Sequence, residues 1–226
     1  MGYEWDFGVV FREFDLLLLG LANTLKVTVL SLGFGVPLGL SVAMLRLVPS
    51  RLVSIPTGLF IDFFRTTPPL VQLFWCFFAL PILIGVRIDP FEAAVITLSI
   101  QSSAFFAEVF RGGIISIEQG QWEAGRALGM SYAQLMRRVI LPQAVKRMVP
   151  AFLERIIELF KTTSLVAAVS YADLLFQANE ISQKTYRTVE VYTVAACMYL
   201  VVSLITSLFV RRLEHRLAAS GEVGGH

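Results

Sequence analysis

Charge is scarce in this chain: Asp, Glu, Lys and Arg make up 16% of its 226 residues, and apolar residues make up 56%. A soluble domain carries about 25% charged and roughly 45–50% apolar residues, and the mean hydropathy here is +0.69. The composition excludes a soluble globular protein and predicts an all-α membrane protein. A net charge of +2, with no basic tract interleaved with aromatics, gives no argument for nucleic acid, and none is expected as a partner. Histidine is nearly missing, and His215 falls in a polar tail where it reads as a solvated residue. Cys76 and Cys197 lie in apolar runs without metal-ligand spacing or a disulfide framework, so both read as packing residues and no metal site is expected. No P-loop, H-E-x-x-H or nucleophile elbow occurs, so the chain is expected not to be an enzyme and to hold no catalytic residue or cofactor of its own. Tyr3-Glu4-Trp5-Asp6 supplies no basic region ahead of the first apolar run, which is therefore expected to stay in the protein.

What is present is a series of apolar runs, each near or above the roughly 20 residues that span a bilayer. They cover residues 16–45, 55–84, 91–110, 144–169 and 189–210, predicting about five transmembrane helices in one domain over 1–226. Gly33, Gly35, Pro37 and Gly39 predict a bend or close helix contact in the first run. The second carries Arg65-Thr66-Thr67-Pro68-Pro69, a basic residue beside a helix-breaking pair, where Arg65 reads as an interfacial anchor. The third holds Gln101, Ser102 and Ser103 near its centre, suited equally to cementing helices and to touching a solute. Pro150 predicts a kink in the fourth, and the polar stretch 172–187 reads as a loop with partial structure. Counting Lys and Arg between the spans gives 11 on one side and 4 on the other. The positive-inside rule then places the N-terminus outside and the C-terminus in the cytoplasm.

The fourth run also holds the densest intramembrane charge: Glu154, Arg155, Glu158 and Lys161. Steps of three let Glu158 pair with both basic neighbours, a self-neutralising ladder. Alternatively Arg155 faces a path and grips a passing carboxylate with its planar fork, aided by Gln101 and Ser102.

A polar island at 121–142 interrupts the apolar pattern. Residues 123–128 read as a short helix, with Gly129 as its left-handed stop. Ser131 and Gln134 form a capping box that starts a second helix, and Pro142 ends it. The spacing Glu123-Ala124-Gly125, then Gly129, then Leu141-Pro142 resembles the cytoplasmic "EAA" loop of ABC importer permease subunits. Gly125 departs from that pattern, which usually has Ala there. Leu21-Ala22-Asn23-Thr24-Leu25, the Arg65 segment, Glu108-Val109-Phe110-Arg111-Gly112-Gly113 and Lys161-Thr162-Thr163-Ser164-Leu165 are likewise similar to permeases of the polar amino acid (histidine/glutamate-type) family. The resemblance covers about residues 14–216, with the coupling loop at about 112–142. It implies a type I importer permease of the bacterial inner membrane, paired with a second permease subunit, identical or homologous, amid membrane lipid. It also implies ABC ATPase subunits that carry ATP and Mg, and an extracytoplasmic solute-binding protein. The ATPase would dock on Glu123, Ala124, Gly125, Gly129, Leu141 and Pro142. The overall wording is most similar to the glutamate/aspartate branch. A channel or secondary transporter with Arg155, Glu158 and Lys161 as an ion relay is the main alternative. A membrane scaffold with a docking loop is the other.

Overall fold

The computed structural model describes residues 3–222, and all regular structure among them is helical. The order is α1 (Gly8–Arg12), α2 (Phe14–Leu47), α3 (Arg51–Thr66), α4 (Pro69–Phe74), a π turn (Trp75–Ala79), α5 (Leu80–Ile84) and α6 (Pro90–Ile115). It continues with α7 (Gln119–Ala127), α8 (Tyr132–Leu135), a second π turn (Met136–Ile140), α9 (Leu141–Thr162), a 3₁₀ segment (Thr163–Val169), α10 (Leu174–Thr185) and α11 (Thr188–Glu222). Three helices are long and apolar enough to cross a membrane alone: Phe14–Leu47, Pro90–Ile115 and Thr188–Leu208. Two bent pairs raise the number to five if each is one span.

The predicted close contact in the first run is real. A Cβ on Gly35 would sit 3.0 Å from Ser102 Cβ, and one on Gly39 would sit 2.8 Å from both Phe106 Cβ and the Ser103 carbonyl. Small residues thus let α2 lie directly on α6, and Pro37 is carried within α2. This pair is the frame on which α3, α9 and α10 are hung.

The run 55–84 breaks at its helix-breaking pair, between α3 and α4, with a 104° bend. A residue before proline is driven out of the helical region, and Thr67 is extended at φ −78°, ψ 135°. The stretch 172–187 is not a partly structured loop but contains α10, whose Asp173 caps it by accepting from Phe176 N at 2.9 Å. Leu174, Ala178 and Ile181, at i, i+4 and i+7, bury its apolar face beside Leu17 and Val191. Finally, Pro142 does not end the second loop helix. The helix runs on through the π turn, where Leu141 N–H bonds the Met136 carbonyl. Proline clashes with the carbonyl four residues back; here that is Arg138, inside the widened turn. Pro81 follows the first π turn at the same interval, so one device is used twice.

The N-terminal segment is clasped to the start of α11. Tyr3 Oη donates to Glu190 Oε2 at 2.5 Å, Asp6 N to Glu190 Oε1 at 3.0 Å, and Arg187 Nη1 to the Glu4 carbonyl at 2.8 Å.

Candidate functional site: a helix–glycine–helix element and a charged cavity

At one end of the molecule α7 and α8 form the helix–glycine–helix element. Gly129 has φ +71°, and its N–H bonds the Arg126 carbonyl at 3.0 Å while Met130 N–H bonds Gly125 O at 3.1 Å. These two bonds close α7 with a Schellman motif. Nothing lies within 4 Å of a Cβ at Gly129, so its backbone angle alone demands glycine. The capping box is present in both directions: Gln134 N to Ser131 Oγ at 3.3 Å and Ser131 N to Gln134 Oε1 at 3.0 Å. Gly125 is buried, and a Cβ there would meet Leu135 Cδ1 at 2.3 Å, so its small size brings α7 against α8.

An apolar cluster of Ile114, Ile117, Leu135, Ile140, Ala144 and Met148 seats this element on the end of α6 and the start of α9. Gln143 Nε2 adds bonds to Gln121 Oε1 at 3.3 Å and to the Val139 carbonyl at 3.0 Å. The outward face presents Glu123, Ala124, Leu128 and Tyr132, with Leu128 81% exposed. Leu141 and Pro142 are exposed as well. A rigid element with an unpartnered small, apolar and acidic face is suited to holding a protein partner.

The second cluster lies further along α9. A cavity of about 240 Å³ is lined by Arg65, Thr67 and Pro69 from the α3–α4 break, Gln101, Ser102, Phe105 and Phe106 from α6, and Arg155, Glu158, Leu159 and Thr162 from α9. A second cavity of about 420 Å³ continues toward the coupling loop past Glu108, Gly112, Ser116, Arg147 and Glu154. Arg65, Phe105 and Arg155 belong to both, so the two spaces meet at these side chains. There the Arg155 guanidinium lies 4.6 Å and the Arg65 guanidinium 5.7 Å from the centre of the same Phe105 ring. Arg155 Nη1 also donates to Glu158 Oε2. Among the described residues Arg65 meets only a distant carboxylate, with Nη1 3.9 Å from Glu108 Oε2. Both Glu108 oxygens are taken by Arg111, at 2.9 and 2.7 Å.

The structure therefore brings Gln101, Ser102, Arg155 and Glu158 to one cavity, as their pattern suggested. It does not bring Lys161 there. Lys161 lines a separate depression with Ser164, Tyr199, Leu200 and Ser203, and among the described residues it makes no ion pair with Glu158. The ladder is thus a single pair. Each step of three residues turns about 60° back around a helix, so by Lys161 the row has left the cavity face. Arg65, Thr67 and Phe105 are the residues that sequence reasoning missed. Arg65 lines the passage instead of acting only as an anchor, and the proline pair beside it was the one signal that the chain turns there.

The family model for the inner membrane component of binding-protein-dependent transport systems matches residues 35–219. The chain belongs to that family. It is 38% identical over 215 residues to the glutamine transport system permease protein of Escherichia coli K12, covering 95% of this chain and 98% of the relative. It is 34% identical over 215 residues to the arginine transport system permease protein of Bacillus subtilis 168, with the same coverage of each chain. Among solved structures, an amino acid ABC transporter with histidines superposes with a TM-score of 0.90 at 36% identity, covering 95% of this chain and 100% of that one. The inward-facing methionine ABC transporter matches with a TM-score of 0.75 at 23% identity, which shows the type I fold alone. This family member is a multi-pass inner membrane protein, a component of a transporter and not an ion-coupled carrier.

Proposed function

We propose that this permease subunit carries a polar amino acid through the passage between α3–α4, α6 and α9, driven by ATP hydrolysed on a separate subunit that docks on α7. One observation carries the reading: α9 begins in the cluster that seats the coupling loop and ends as a wall of the solute cavity. A shift imposed on Glu123, Ala124 and Leu128 reaches Arg155 along one helix, and packed helices respond to such a shift by moving between discrete arrangements. ATP and Mg belong to the ATPase, a second permease subunit completes the path, and a solute-binding protein delivers from the other side. The N-terminus faces outward and the coupling loop faces the cytoplasm. Thiol-accessibility mapping is expected to find position 87 open from outside and position 138 from inside, and the reverse overturns this orientation.

Arg155 grips the solute carboxylate where the two guanidinium groups meet, and Glu108, Glu154 and Glu158 in the same walls balance the charge, a setting that suits a polar amino acid, of the glutamate or aspartate type among them. Hydrogen bonds to charged groups contribute about 1.5–3 kcal/mol, so Arg155→Gln should raise the half-saturating concentration of L-glutamate or L-glutamine uptake at least about tenfold. Lys161→Gln, off the cavity, should leave it unchanged. Unchanged affinity and solute choice in Arg155→Gln rejects the carboxylate-binding role.

A further inference from the structure

We propose that Gln72 is a positioning residue for the passage: its side-chain amide supplies the N–H that Pro68 lacks, and so fixes the break that turns Arg65 and Thr67 into the cavity. The proposal rests on the passage being the solute's route.

In an unbroken helix the N–H of residue 68 would bond the carbonyl of Phe64. Pro68 has no N–H, and in a bilayer no surrounding water replaces it; neighbouring side chains re-satisfy such freed carbonyls. Gln72 Nε2 donates to Phe64 O at 3.0 Å, in the last turn of α3, and to Thr67 O at 2.9 Å, in the break itself. Both amide hydrogens are thereby spent on backbone, which also fixes the orientation of the amide, since two carbonyls can only be met by the nitrogen. Gln72 itself is anchored on the far side of the break, where its own N–H bonds Pro68 O at 3.2 Å. It is 7% exposed, so water does not compete for these bonds. The freed Oε1 is buried without a partner, as is Thr97 Oγ1, and both residues line an apolar cavity of about 320 Å³. A side chain placed for packing would not leave a buried carbonyl unpaired. This one accepts that cost on one face to satisfy the backbone on the other. Thr67 lines both this cavity and the solute cavity, so the stapled peptide is the partition between them.

The test is a double-mutant cycle in the assembled importer in proteoliposomes: Gln72→Leu, Pro68→Ala, which gives residue 68 an N–H for the Phe64 carbonyl, and the pair together. The first readout is the rate at which an impermeant maleimide labels Thr67→Cys, with Cys76 and Cys197 changed to alanine. The second is the kinetics of L-glutamate and L-glutamine uptake. Gln72→Leu should speed labelling about fivefold and raise the half-saturating concentration about tenfold, with the maximal rate within about twofold. In the Pro68→Ala background the same substitution should change both by less than about twofold. Additive effects of the two substitutions overturn the staple. Should Gln72→Leu fail to assemble, recovery in the Pro68→Ala background supports the proposal and persistent failure overturns it. Arg155→Gln runs alongside: if it alters uptake while Gln72→Leu does not, the positioning role falls by itself, and if both are silent the solute route falls with it.

Discussion

Two interruptions shape this chain, and they are held together by different means. At the α3–α4 break two successive prolines remove the N–H partners of Phe64 and Arg65, the chain turns by 104°, and a side chain, Gln72, reaches back to the backbone. At the coupling end Gly129 and the Schellman bonds stop α7 with backbone alone, the short-range Ser131–Gln134 capping box starts α8, and beyond the π turn Gln143 Nε2 bonds the Val139 carbonyl at 3.0 Å. One proline just past a widened turn leaves the helix continuous, whereas two prolines without such a turn end it. The difference suits the function proposed for each place. The broken helix opens a wall for a cavity, and the continuous one joins the α7–α8 element to α9 without a joint.

The largest effect expected from testing this comparison falls on the backbone-held end. A β-branched residue at φ +71° is a true outlier, and strain of about 1–3 kcal/mol would be relieved by opening the α7–α8 turn. Gly129→Val should therefore lower solute-stimulated ATP hydrolysis at least about tenfold in the reconstituted importer, with membrane insertion intact. Gly129→Asn, which tolerates this backbone region, should retain most of it. Equal loss in both variants would mean that the glycine serves close approach to the ATPase and not the turn.

A smaller effect is expected at Pro142. Alanine there restores an N–H and removes the ring, so the π turn can relax to α-helix and α8 rotates relative to α9. The ATP consumed per solute carried should rise by about threefold, measured on the same vesicles. Loss as severe as in Gly129→Val would erase the distinction drawn here, because the widened turn would then be as indispensable as the stop.

Much of the coupling element was legible because its signals are local. A capping box, a left-handed glycine and short helical periodicity act within a few residues, and all of them hold at Ser131, Gln134 and Gly129. The cavity was legible only in part. Gln101, Ser102, Arg155 and Glu158 stood out as polar groups in apolar runs, and they do converge. Where a broken helix points is a tertiary property, so the proline pair announced a break without revealing that it carries Arg65 to the Phe105 ring. Lys161 looked like the next rung of a row that helical geometry had already turned away. The helix α10 went unread although Leu174, Ala178 and Ile181 have amphipathic spacing, because the surrounding polarity outweighed three apolar positions.

The clasp between the N-terminal segment and α11 has a consequence in time. Tyr3 and Glu190 are separated by 187 positions, and a chain made at about 5–20 residues per second leaves the first waiting roughly ten to forty seconds for the second. During that interval the helices α2 to α10 are synthesised, while the segment around Tyr3 and Asp6 lacks the Glu190 carboxylate on which it closes. Glu190, fully buried in the finished molecule, takes up Tyr3 and Asp6 only when the last membrane helix begins to emerge. The clasp therefore closes long after its first half is made, and it ties the segment ahead of α2 to the start of α11.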